Sequence, residues 1–106
     1  MITAVLIAVL VQSAAINTQR DGFISCLEQA ETSAKTQKMA PDALEAHLRL
    51  TCAAAEAKFK AALVAFDLKN KVARKQASAD AQLQADDFVT NSVSHYKAAL
   101  ARNSGG

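Results

Sequence analysis

The chain has 106 residues, a formal net charge of +2, 51% hydrophobic residues and two cysteines. That length fits one small domain, and a charge so close to neutral argues against nucleic acid as a partner. One proline and three glycines supply little turn chemistry, so the composition favours long helices over many short strands.

The chain opens with MITAVLIAVLVQSAA. The apolar run Ile2 to Val11 has the length of a signal-peptide core, and Ser13-Ala14-Ala15 supplies the small residues of a cleavage site. Residues 1–15 are therefore expected to be a cleaved signal peptide, with the protein periplasmic or secreted. No Lys or Arg precedes the run, which departs from the usual signal pattern. A membrane span needs about 20 apolar residues, and Gln12 and Ser13 interrupt this one earlier. Retention of the segment as a membrane anchor is the alternative. Residues 16–102 are expected to form a single helical domain and residues 103–106 a disordered tail.

The first helical stretch is expected from Thr18 to Lys38. Phe23, Leu27, Ala30 and Ala34 recur at spacings of four, three and four, which places them on one face. The second is expected from Pro41 to about Lys71. Pro41 suits the first helical position, where its missing N–H costs nothing, and Asp42 and Glu45 suit a helix N-terminus. Leu48, Cys52, Ala55, Phe59, Ala62 and Phe66 then form a heptad-like seam, widened by Leu44, Leu63 and Val64. Glu56 and Lys60 stand at i,i+4 in the favourable order. Asn70 is the expected cap. The third stretch is expected from Val72 or Ala73 to Arg102, with Leu83 and Phe88 as early apolar anchors. Val89, Val93, Tyr96 and Leu100 continue it, and weak helix formers suggest a bend near residues 84–92.

Cys26 and Cys52 flank the Ala40–Pro41 break almost symmetrically, with their midpoint at Met39. Each lies about 13 residues from the break, roughly 20 Å along its helix at a rise of ~1.5 Å per residue. In an antiparallel hairpin the two meet at one height, within bridging range. The expected fold is all-α: a helical hairpin cross-linked by a Cys26–Cys52 disulfide, plus a third long helix, in an up-down-up order. Alanine-rich helices with few aromatics make a thin core, for which a covalent staple is useful.

No reaction is legible. The cysteines form neither a CxxC redox motif nor a zinc-ligand spacing. His47 points about 140° away from Cys52 on a helix, and His95 stands about 12 Å from Asp87 along the axis. Ser92, Ser94 and His95 lack a nucleophile elbow. Asp80, Asp86 and Asp87 read as a solvated acidic face. No cofactor, metal or catalytic residue is expected, and the protein is not expected to be an enzyme. A ligand carrier or enzyme with a site between helices is the remote alternative. The cluster Lys69, Lys71, Arg74 and Lys75 is a candidate contact patch for anionic partners or a membrane surface. The leading expectation is a non-enzymatic interaction or structural module of the bacterial periplasm or envelope. Its partner, or a second copy, would be met through the face Leu48, Cys52, Ala55, Phe59, Ala62 and Phe66.

Overall fold

The computed structural model describes the backbone of residues 2–105 and the side chains of residues 13–103. Among the described residues the chain forms four helices: α1 (Ile2–Thr36), α2 (Pro41–Thr51), α3 (Ala53–Lys69) and α4 (Arg74–Gly105). The expectation of three helices in a simple cross-linked hairpin is thereby corrected. The second rod is two helices, and the disulfide joins the middle of α1 to the α2–α3 junction, where Cys52 is the N-terminal cap of α3. The all-α class remains.

The break at Cys52 has a local cause. Its backbone stands at φ −105°, ψ 19°, outside the α-helical region. Thr51 and Cys52 are both poor helix formers, and the Cys52 side chain is tied sideways to Cys26. Hydrogen bonding survives on both sides: Cys52 N–H donates to Leu48 at 2.9 Å, and Glu56 N–H donates to Cys52 at 2.9 Å. The result is a bend between α2 and α3, with no loop.

Both turns between rods use one device. After α1, Lys38 takes φ 56°, its N–H reaches the Lys35 carbonyl and the Met39 N–H reaches the Ala34 carbonyl. After α3, Lys71 takes φ 65°, with Lys71 N–H on Leu68 and Val72 N–H on Asp67. These paired bonds are Schellman motifs, with lysine at the left-handed position that glycine usually fills. Ala40 then extends at φ −64°, ψ 140°, as a residue before proline must, and Pro41 starts α2. Asn70 caps α3 as expected, its side-chain amide donating to the Phe66 carbonyl at 2.9 Å.

The core runs along the three rods. The α1 stripe Phe23, Leu27, Ala30 and Ala34 is buried, as are Leu44, Leu48, Cys52, Phe59 and Leu63 of the second rod. Phe23, Phe59 and Phe88 meet as a triad, with ring centroids 5.6 to 6.1 Å apart. On α4 the buried residues are Ala77, Ala81, Ala85, Val89, Tyr96 and Ala99. Leu83, expected as an anchor, is instead 62% exposed. Alanines at four-residue spacing let α4 approach closely, and that side of the helix excludes residue 83. α4 also runs unbroken through residues 84–92, so burial of Ala85 and Val89 overrides the weak propensities there.

The expected signal peptide falls mostly on residues 1–12, whose side chains lie outside the description. The expected tail likewise falls, after Asn103, outside the described side chains. At residues 14–16 of α1, Ala14 and Ala15 are exposed and Ile16 is buried.

Candidate functional site

Three groups of side chains are candidate sites. The first surrounds the disulfide. Cys26 and Cys52 are bonded with a Cα separation of 5.8 Å, inside the usual range for an unforced bridge. Cys52 is buried and Cys26 half-buried. The bridge packs against the hydrophobic core, Cys52 within it and Cys26 at its edge, and it stabilises the fold.

Beside the bend lies a charge network that ties three helices together. Arg49 of α2 reaches Asp86 of α4 at 3.0 Å, Glu56 of α3 at 3.6 Å and Glu45 at 3.7 Å. Lys60 pairs with Glu56 at 3.3 Å and donates to Gln82 at 2.8 Å. Gln82 in turn donates to Asp86 at 2.9 Å. The Asp86 carboxyl is held below its ordinary value, chiefly by the Gln82 hydrogen bond and further by Arg49 and Lys60, against a desolvation that acts the other way. The acidic residues read together in the sequence therefore separate: Asp86 joins this network, Asp80 accepts from Gln76 at 2.8 Å, and Asp87 is exposed.

The third group lines a groove of about 430 Å3 between α1 and α4. Its floor is Ile24, Leu27 and Phe88, and its rim includes Glu28, Glu31, Lys35, Ser92 and His95. His95 Nδ1 and Glu31 Oε1 are 2.5 Å apart. The Glu31 side chain is 10% exposed and that of His95 is 66% exposed. This pair joins residues far apart in sequence, so helical spacing within one segment carries no sign of it. In the sequence, Glu31 stands one position after Ala30, at the edge of the apolar stripe. Among the described residues, no group of three or more His, Cys, Asp or Glu is placed to hold a metal ion.

The sequence-predicted residues fall at separate places. Lys69, Lys71, Arg74 and Lys75 are exposed around the α3–α4 turn. The seam packs inward: Leu48, Cys52 and Phe59 are buried, and Ala55, Ala62 and Phe66 lie half-buried against the core. A partner at that seam would have to open the bundle. His47 is half-buried on α2.

No protein family, curated protein or solved structure matches the chain. Among the described residues no helix is long and apolar enough to cross a membrane. A small all-α domain stabilised by a disulfide, without a catalytic sequence motif, is what these observations establish.

Proposed function

We propose that this protein is a non-enzymatic interaction module of an oxidising extracytoplasmic compartment, with the bacterial periplasm or envelope as its setting. It presents the outside of a cross-linked helical bundle to another protein chain. The observation that carries this reading is a pair of outward leucines. Leu50 is 82% exposed and Leu83 62% exposed. Leu50 follows Arg49 on α2, and Leu83 stands three residues before Asp86 on α4, so each leucine is near in sequence to one end of the 3.0 Å bridge. Large apolar side chains around a fixed polar pair suit a protein contact. The seam residues are engaged in the core, so the contact is assigned to this outer face. The disulfide supports export, since such bridges persist where thiols are not kept reduced.

A photo-crosslinker placed at position 50 or 83 tests the contact in cells. A defined cross-linked species, lost on Leu83→Glu when the probe is at 50, is the expected result. Absence of any cross-link from both positions in folded protein would count against the reading. Intact mass with and without reduction tests export, by loss of residues 1–15 and by a two-hydrogen gain on reduction.

A further inference from the structure

We propose that the end of the bundle carrying the α3–α4 turn docks on an anionic phospholipid surface. The inference goes beyond the protein contact and uses a different part of the molecule. It rests on two features that the fold brings to one end.

The first is charge. Lys69, Lys71, Arg74 and Lys75 are all exposed around the turn, and among the described residues none of them enters an ion pair. The acids nearest in sequence are Asp67 and Asp80, both half-buried. Asp80 accepts a hydrogen bond from Gln76. Four exposed cations in no ion pair, against the half-buried Asp67 of the same turn, leave this end net positive toward lipid phosphates.

A groove is the second feature. About 510 Å3 of space lies between α3 and α4 just below the turn. Val64, Leu68 and Ala81 make an apolar wall, and Arg74 and Lys60 stand along it. An acyl segment beside a cation-bound phosphate matches that lining. The chemistry is amphiphilic, which a soluble anion would not satisfy.

Co-sedimentation of the full oxidised chain with vesicles of phosphatidylcholine, with or without phosphatidylglycerol, tests the proposal. Binding to the anionic vesicles should be at least about tenfold tighter and should weaken with added salt. The variant K69Q/K71Q/R74Q/K75Q should lose that tenfold preference while keeping the circular dichroism of the bundle. A control variant, K35Q/K38Q/K97Q/R102Q, removes the same charge from the opposite end and should keep the preference. Equal binding of the unaltered chain to both vesicle types overturns the proposal. Equal loss in the two variants also overturns it, since bulk charge would then explain the binding. The cross-linking at positions 50 and 83 reads a different face, so either idea can fail alone.

Discussion

Tyr96 shows how much one polar atom can hold at the residue scale. The side chain is fully buried on α4. Its hydroxyl donates to the Met39 carbonyl at 2.6 Å and lies 3.5 Å from the Ala34 carbonyl. Both acceptors belong to the Schellman turn that ends α1, so Tyr96 latches α4 onto the turn between the first two rods. Tyr96→Phe keeps the packing and strands the Met39 carbonyl. It should cost about 1–2 kcal/mol, read from urea unfolding; an unchanged midpoint would show that water takes over the carbonyl. Asp86 gives a pH-dependent counterpart. Its folded pKa is depressed, so its contribution is present above the unfolded value of 3.8 and is lost as pH falls through the lower folded value. The carboxylate is 40% exposed, so screening keeps the contribution under about 1 kcal/mol. The stability gap between the natural chain and Asp86→Asn should be present at pH 6 and shrink as the pH is taken below 3.8. A gap that persists under those acidic conditions would mean that the network acts through packing and not through charge.

At the scale of elements, the backbone holds two residues against their preferences. Gly22 lies inside α1, where a Cβ would meet nothing within 4 Å. Lys38 holds a left-handed conformation at φ 56° that costs a side-chain-bearing residue roughly 1 kcal/mol. Gly22→Ala should stabilise by about 0.5–1 kcal/mol, and Lys38→Gly by a similar amount. Thermal unfolding of each variant and of the pair checks both, with additive gains expected because the sites share no partner. The left-handed site at Lys38 was not visible in the sequence, because a lysine does not announce a positive φ. The features that were legible are those set by local pattern. Pro41 marks the start of α2, Asn70 the end of α3, and the four-three-four stripe of Phe23, Leu27, Ala30 and Ala34 the inner face of α1. The spacing of the cysteines gave the bridge. The features missed depend on neighbours. The bend at Cys52 arises where a cross-link meets poor helix formers. The Ala77, Ala81 and Ala85 face of α4 was passed over for Leu83 because bulk was read as burial, whereas close helix approach favours the small side chain. Glu31 and His95 meet only once two helices are packed.

The whole molecule is cross-linked unevenly. The disulfide joins α1 to the second rod, and α4 is held by non-covalent contacts: Phe88 in the aromatic triad, the Tyr96 latch, the Glu31–His95 pair and the Asp86 network. Closing a loop of this size removes about 3.5 kcal/mol of chain entropy from the unfolded state, and that benefit belongs first to the two bridged rods. In the oxidised protein the lowest sub-global opening should therefore be the release of α4, with α1 and the second rod still linked. Native-state hydrogen exchange should show α4 amides exchanging through a lower free energy than amides of α1 and α3 near the bridge. Reduction should lower the protection of the bridged rods toward that of α4 and remove most of the difference. Uniform protection before reduction would mean that the three rods open as a single cooperative unit, and that the aromatic triad binds α4 as firmly as the disulfide binds its neighbours. Acid should act on the same equilibrium from the other side, since protonating Asp86 weakens the tie of α4 to Arg49 and leaves the disulfide untouched.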